Sequence, residues 1–115
     1  MKIPLVDLKA NYLSIKEEID SAIQRIIDNS SFIMGKEVEE FDKNFADFNN
    51  SKHAIGVGNG TLALHLALIA SGIKQGDEVI VPVNTFIATS EAVSHCNAKP
   101  VFVDVEEGSY NINPE

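Results

Sequence analysis

A glycine-rich junction between an apolar segment and an apolar helical pattern constrains this chain more than any other feature. The run reads Ile55-Gly56-Val57-Gly58-Asn59-Gly60-Thr61-Leu62-Ala63-Leu64-His65-Leu66. Its apolar beginning is rich in β-branched residues, and its glycines form a turn that opens directly into a helix. Such a junction presents backbone N–H groups at the positive end of a helix dipole, where an anion is favoured. The run therefore predicts a phosphate-binding turn.

Three interpretations of this turn compete on the residues alone. Gly58, Gly60 and Ala63 satisfy the minimal G-x-G-x-x-G/A pattern of dinucleotide-binding folds. However, the acidic pair Asp77-Glu78 precedes the next predicted strand, whereas the ribose-binding acid of that pattern should follow it. No lysine follows Gly60, so the P-loop pattern is not met. The third interpretation is that the glycines serve only the backbone geometry of a strand-to-helix turn.

Composition and charge fit a globular protein and exclude several kinds of partner. The 115 residues are 44% hydrophobic and 23% charged, and 17 acidic against 9 basic residues give a net charge of -8. With no basic cluster, neither nucleic acid nor a membrane surface is an expected partner. The single cysteine, Cys96, excludes an intramolecular disulfide and is expected to be a small buried core residue. No signal-peptide pattern or membrane-length apolar run is present, so we expect a cytoplasmic protein.

The chain divides into two parts with different periodicity, residues 1–52 and 53–115. In the first part, apolar residues recur at helical spacing and predict helices at 15–28 and 36–49. The second part alternates predicted strands at 53–57, 78–81 and 100–103 with helices at 61–71 and 86–96. Short apolar strands joined by helices predict a parallel sheet, and hence an α/β fold in which a β-α-β-α-β portion follows N-terminal helices.

Smaller signals refine this organisation. Gly72 stands where a helix C-cap is expected, and Gly76-Asp77 where the chain turns into the next strand. Near the end, Asn113 and Pro114 resemble an N-cap and the first position of a further helix. We therefore expect the chain to be the N-terminal portion of a longer polypeptide, truncated at residue 115. A naturally short β-α-β-α-β protein is the alternative.

Four blocks in register carry a resemblance to one enzyme family. They are Asn59-Gly60-Thr61-Leu62-Ala63-Leu64, Gly76-Asp77-Glu78-Val79-Ile80-Val81-Pro82, Asn84-Thr85-Phe86-Ile87-Ala88-Thr89 and Lys99-Pro100-Val101-Phe102-Val103-Asp104-Val105. With Pro4-Leu5-Val6-Asp7-Leu8 and Phe32-Ile33-Met34-Gly35, they resemble the DegT/DnrJ/StrS family of pyridoxal-phosphate-dependent sugar aminotransferases over essentially the whole chain. The resemblance implies the large domain of a fold-type-I transferase, a mostly parallel sheet in a three-layer arrangement, of which this chain would hold the first part.

The resemblance also implies which residues bind the cofactor, pyridoxal 5'-phosphate. Gly60 and Thr61 are expected to donate backbone N–H groups to its phosphate, and the Thr61 hydroxyl a further hydrogen bond. Asn59 is expected to orient the turn through its side chain. For Thr61, the alternative to the phosphate contact is a simple helix N-cap, and the two roles are compatible. Phe86 is expected to lie against one face of the pyridine ring, with a core aromatic as its alternative. Leu62 departs from the family, where many relatives carry an acidic residue.

The function implied for the intact polypeptide is amino transfer to a nucleotide-linked keto-sugar in amino-sugar and polysaccharide biosynthesis. Glutamate is the expected amino donor, a 3-keto sugar is favoured over a 4-keto sugar, and a homodimer is expected. In the family, the Schiff-base lysine and the acid that pairs with the pyridine nitrogen lie beyond residue 115. No catalytic residue is therefore expected in this chain, which should be inactive alone. The alternatives are a non-catalytic binding or regulatory protein on the same scaffold and a dinucleotide-binding module.

Histidines provide no evidence for a metal site in the sequence. His53, His65 and His95 do not occur with the spacing of metal ligands, so no metal is expected. His65 lies one turn into the helix that follows the glycine-rich turn. It is therefore interpreted as a packing residue and not as a catalytic base.

Overall fold

The computed structural model describes residues 5–114, so Pro4 of the first family-like block and Glu115 lie outside the described residues. Its elements in chain order are α1 (Leu8–Ser14), α2 (Lys16–Asp28), α3 (Lys36–Phe48), α4 (Gly60–Ala70), β1 (Glu78–Pro82), α5 (Ala88–His95) and β2 (Lys99–Val103). They fall into two compact units that divide after Gly56. Across residues 5–114, no helix combines the length and the apolar character that crossing a bilayer requires.

Helices make up the regular structure of the first unit. The positions of α2 and α3 confirm the predicted helices to within one residue at each end. The seven-residue α1 was not predicted, because it is too short to show apolar periodicity. Its signal is Asp7, whose side-chain oxygen accepts a hydrogen bond from the Ala10 N–H at 3.0 Å. Hydrogen bonds that Lys16 donates to Asp20 and Tyr12 raise the pKa of the lysine. Hydrogen bonds that Asp20 accepts from Lys16 and the Tyr12 hydroxyl lower the pKa of Asp20.

The apolar stripe of α3, Val38, Phe41, Phe45 and Phe48, is exposed, although its helical spacing predicts core packing. Phe41 and Phe45 stack with ring centroids 5.6 Å apart, yet half or more of each side chain is exposed. Phe48 at the end of α3 is 83% exposed, and Ala46 is the one buried residue of this unit within the described residues. Helical spacing identified the face correctly. It carried no information on which surface covers that face.

A small parallel sheet with helices packed beside it forms the second unit. β1 and β2 pair in parallel, with Glu78 opposite Lys99 and Pro82 opposite Val103. α5 connects the strands and packs on both, and α4 packs on α5. The core consists of four buried residues and three partly buried ones: Val81, Val93, Cys96 and Ala98, with Leu68, Ile73 and Val79. The helices and parallel strands confirm the α/β class, and the burial of Cys96 confirms its predicted role.

The predicted strand at residues 53–57 is wrong. That segment has no regular secondary structure, and the sheet of the described residues contains two strands, not three. A strand exists through hydrogen bonding to a neighbouring strand, and none of the described residues pairs with this segment. Its β-branched, apolar sequence indicated a propensity without indicating a partner. The expected β-α-β-α-β order is therefore α-β-α-β here.

Both predicted glycine turns are present. Gly72 follows the last turn of α4 with φ +87°, and the N–H groups of Gly72 and Ile73 donate to the carbonyls of Ile69 and Leu68 at 2.9 and 3.1 Å. This is a Schellman cap, which glycine satisfies without steric strain. Gly76 has φ +91° in the turn before β1. These two turns set the length of α4 and the point at which the sheet begins.

Candidate functional site

The glycine-rich turn positions the start of α4. Asn59 has extended backbone angles, and its side-chain oxygen accepts a hydrogen bond from the Leu62 N–H at 2.9 Å. Its carbonyl accepts from the Ala63 N–H at 3.0 Å. Asn59 is therefore the N-cap of α4, and Thr61 is not, which corrects the alternative considered for Thr61. The cap satisfies only one of the first N–H groups of the helix.

Two backbone donors at this turn are left without acceptors. Gly60 and Thr61 occupy the first two positions of α4, and within residues 5–114 neither N–H group has a hydrogen-bond acceptor. The Thr61 hydroxyl also makes no hydrogen bond there. The turn thus presents two N–H groups and a hydroxyl at the positive end of an 11-residue helix. A phosphate or carboxylate can satisfy all three.

Gly60 is required neither by backbone conformation nor by packing within the described residues. The described glycines with positive φ are Gly72 and Gly76, so Gly60 has a conformation open to any residue. A Cβ built on Gly60 would meet nothing within 4 Å. The purely structural interpretation of this glycine therefore loses its support. The space that a side chain at Gly60 would occupy is open, next to the unpaired N–H group of the same residue.

An open, mainly apolar cleft of about 740 Å³ lies between this turn and the start of α5. Its lining residues are Gly60, Thr61, Ala63, Leu64 and Ala67 from α4, with Phe86, Ala88 and Thr89. Phe86 is 77% exposed, which rules out the core-aromatic alternative within this unit. The cleft combines a flat apolar ring and aliphatic walls with the polar groups of the turn. That combination suits a ligand with both a planar body and an anionic group.

Local hydrogen bonds stabilise the loop that contains Phe86, after the carboxyl end of β1. The Phe86 carbonyl accepts from the Thr89 N–H at 3.0 Å, and the hydroxyls of Thr85 and Thr89 lie 2.9 Å apart. The predicted helix at 86–96 begins two residues later, at Ala88, so Phe86 belongs to the loop that follows β1. Loops at the carboxyl ends of parallel strands are where ligands bind in α/β folds. The loop therefore places Phe86 after the carboxyl end of β1, where a ligand is expected.

The acidic pair Asp77-Glu78 makes structural contacts and does not provide the acid of a dinucleotide-binding site. The Asp77 carboxylate accepts a hydrogen bond from the Lys74 N–H at 2.9 Å, within the turn before β1. Glu78 pairs with Lys99 across the two strands at 2.7 Å, and this pair raises the lysine pKa. Both acids are thus fixed at the amino ends of the strands. A ribose-binding acid is needed at the carboxyl ends.

Two histidines meet beside the turn, a contact that sequence reasoning missed. His65 of α4 and His95 of α5 have ring centroids 5.4 Å apart at an interplanar angle of 63°. With Asn59, Thr61 and Leu62 they line a second cavity of about 410 Å³. His65 was predicted to be a packing residue, but nothing in the sequence paired it with His95. Within the described part of the chain, no cluster of three or more His, Cys, Asp or Glu side chains could hold a metal ion.

Comparison with known proteins gives a consistent result over nearly the whole chain. Residues 13–115 match the DegT/DnrJ/EryC1/StrS aminotransferase family. The structure resembles a crystal structure of S. venezuelae DesV in complex with a ketimine intermediate. The TM-score is 0.93 at 43% sequence identity, over 98% of this chain and 30% of that one. The fold of the described residues is therefore that found in the N-terminal region of this family.

Two curated relatives match the chain at a similar level. A UDP-2-acetamido-2-deoxy-3-oxo-D-glucuronate aminotransferase of Pseudomonas aeruginosa is 42% identical over 113 residues, 98% of this chain and 32% of that protein. A pleiotropic regulatory protein of Geobacillus stearothermophilus is 40% identical over 114 residues, 99% of this chain and 31% of that protein. The chain thus spans about a third of the length of these relatives.

Substitution of Gly60 tests whether the turn needs glycine for its own stability. Gly60→Ala should leave the free energy of unfolding unchanged or raise it by up to about 1 kcal/mol, because alanine favours a helix. Gly72→Ala is the matched control and should lower it by about 1–2 kcal/mol, because alanine is strained at positive φ. Urea unfolding of the intact polypeptide measures both. A large loss in Gly60→Ala would show that Gly60 is structural.

Proposed function

This chain belongs to the DegT/DnrJ/EryC1/StrS aminotransferase family, and we propose that it is the N-terminal part of a pyridoxal-phosphate-dependent aminotransferase acting on a nucleotide-linked keto-sugar. Within the proposal, residues 1–52 form a helical segment and residues 53–115 the first part of the cofactor-binding domain. The single observation that carries the proposal is one cleft lined by the exposed Phe86 and by Gly60 and Thr61, whose N–H groups have no acceptor within residues 5–114.

The turn fits the phosphate of pyridoxal 5'-phosphate. A phosphate dianion needs several donors, and it gains most from donors that are already oriented. Gly60 and Thr61 supply two backbone N–H groups at a helix N-terminus, and the Thr61 hydroxyl supplies a third donor. Asn59 caps the helix through the Leu62 N–H, so its side chain fixes the turn without competing for the phosphate. In this chain the turn's role is to anchor and orient the ligand.

The loop after β1 fits the planar part of the same ligand. When bound, pyridoxal phosphate withdraws electrons from the carbon that carries the transferred nitrogen. Phe86 would hold the ring plane of the cofactor and exclude water from one face. Thr61 and Phe86 line the same cleft, so one bound molecule can contact both. These residues bind and orient, and neither of them transfers a proton.

The nature of the substrate and donor completes the proposal. The P. aeruginosa relative is named for a UDP-linked 3-oxo sugar, which favours a 3-keto over a 4-keto sugar for the intact protein. Glutamate is the proposed amino donor, in amino-sugar and polysaccharide biosynthesis. The exposed apolar faces of α2 and α3 support a homodimer of the intact protein. A cytoplasmic location is part of the same proposal.

A regulatory protein on the same scaffold is the second candidate, and one observation favours it. The G. stearothermophilus relative, named as a pleiotropic regulatory protein, is 40% identical to this chain. The described site does not separate the two functions, because it provides cofactor contacts and no proton-transferring group. A lysine followed closely by Gly-Glu-Gly-Gly in the intact polypeptide would favour the enzyme. Its absence would favour the regulatory protein.

Removal of the Thr61 hydroxyl tests the phosphate contact. In the intact polypeptide, Thr61→Ala should weaken pyridoxal-phosphate binding by about 1–3 kcal/mol, the range for a hydrogen bond to a charged group. Thr61→Ser keeps the hydroxyl and should bind like the wild type. Equilibrium titration of the apo protein, followed by cofactor absorbance, gives both affinities. Equal affinities for wild type and Thr61→Ala would remove Thr61 from the site.

Truncation of Phe86 tests the ring contact. Phe86→Ala should weaken cofactor binding by an amount similar to Thr61→Ala and should shift the absorption band of the bound cofactor, because one ring face becomes hydrated. Phe86→Tyr preserves the flat ring and serves as the control. The bound-state spectrum is recorded at saturating cofactor, so that affinity and environment are separated. An unchanged spectrum in Phe86→Ala would show that this ring does not contact the cofactor.

An activity assay tests the proposal as a whole. With glutamate and a UDP- or dTDP-linked 3-keto sugar, the intact polypeptide should yield the amino sugar and an equal amount of 2-oxoglutarate. Residues 1–115 alone should yield neither, because the catalytic lysine and pyridinium acid are expected outside them. The 4-keto isomer measures the preference between positions. Amino transfer by residues 1–115 would overturn the assignment of roles, and failure of the intact protein with both sugars would favour the regulatory candidate.

A further inference from the structure

The proposed function does not use the contact between His65 and His95, two titratable rings of the second unit. Their centroid distance of 5.4 Å and angle of 63° describe an edge-to-face pair, an arrangement that aromatic rings favour. Within residues 5–114, no hydrogen bond or ion pair holds either imidazole. His65 is partly buried and His95 is exposed, and the ring contact is the interaction that joins them.

The two helices joined by this pair carry the two halves of the site. α4 begins with the phosphate-binding turn, and His65 lies four residues after Thr61, lining the same cavity as Thr61. α5 follows Phe86 directly, and His95 is its last residue. The distance between the turn and Phe86 therefore depends on how α4 packs against α5. Any contact that fixes this packing also fixes the shape of the cleft.

His95 at the end of α5 is exposed, and the side chains that this helix buries are small. They are Ala88, Ser90, Ala92 and Val93. Leu68 of α4 packs against the cluster that contains Val93 and Cys96, but this apolar contact is non-directional. In contrast, a pair of planar rings has a preferred angle and distance. The His65–His95 pair thus adds a directional contact between α4 and α5, about one helical turn after Thr61.

We propose that His65 and His95 are positioning residues that hold the phosphate-binding turn and Phe86 at the separation the cofactor requires. They act through the packing of α4 on α5 and touch neither the phosphate nor the pyridine ring. This inference rests on the proposed function, because it takes pyridoxal phosphate as the ligand of the cleft. It assigns the pair a role in shape, so a nonpolar aromatic ring should substitute for an imidazole.

The test uses the intact polypeptide in its apo form, titrated with pyridoxal 5'-phosphate. His95→Gln removes the ring and should raise the dissociation constant about threefold to tenfold, as expected for loss of an aromatic pair. His95→Phe keeps a ring and should remain within about twofold of the wild type. His53→Gln, in the other unit, is the matched control and should change nothing. The bound-cofactor spectrum should shift in His95→Gln and not in His95→Phe.

A second set of variants tests the pairing and guards against a folding defect. His65→Gln should have the same effect as His95→Gln, and the double variant should have little further effect, because residues in contact are not additive. Additive losses would overturn the inference, as would a His95→Phe variant as weak as His95→Gln. An unchanged affinity in His95→Gln, beside a weakened Thr61→Ala, would overturn this inference alone. A wild-type protein that does not take up the cofactor would overturn both this inference and the proposed function.

Discussion

Every α-helix begins with N–H groups that have no acceptor within the helix. The candidate site depends on the fact that only some of these groups are satisfied at the start of α4. Asn59 caps the Leu62 N–H, while those of Gly60 and Thr61 have no acceptor within residues 5–114. Had a side chain of the chain itself satisfied these groups, the turn would be complete without a ligand. At Gly60 itself, a Cβ would meet nothing within 4 Å. One residue thus leaves the donors available, and its neighbour provides the hydroxyl beside them.

The rest of the second unit gives this turn its counterpart. β1 ends at Pro82, and the chain then bends through a loop that presents Phe86 before α5 begins. Because α5 packs on both strands and α4 packs on α5, the strands determine indirectly where the turn lies relative to the ring. The small core around Val81 and Val93 therefore also supports the site. A change in that core would alter the cleft without touching a ligand.

The sequence predicted those features that are local and missed those that depend on partners. Helices α2 to α5, the glycine cap at Gly72 and the strand positions follow from periodicity and turn chemistry within short windows. The segment 53–57 was misassigned because strand formation requires a neighbour that sequence propensity does not reveal. The apolar stripe of α3 was recognised, but its exposure was not. The His65–His95 contact joins residues 30 positions apart, and only the packing of two helices creates it.

Ligand binding and local stability should be linked in this arrangement. A ligand that binds only the folded state stabilises it in proportion to the logarithm of ligand concentration over the dissociation constant. In the second unit, a molecule that contacts Thr61 and Phe86 together would join α4 to the loop before α5. Its phosphate would also satisfy the N–H groups that the helix start leaves unpaired. The same interactions that orient the proposed cofactor would therefore stabilise the packing that forms its binding site.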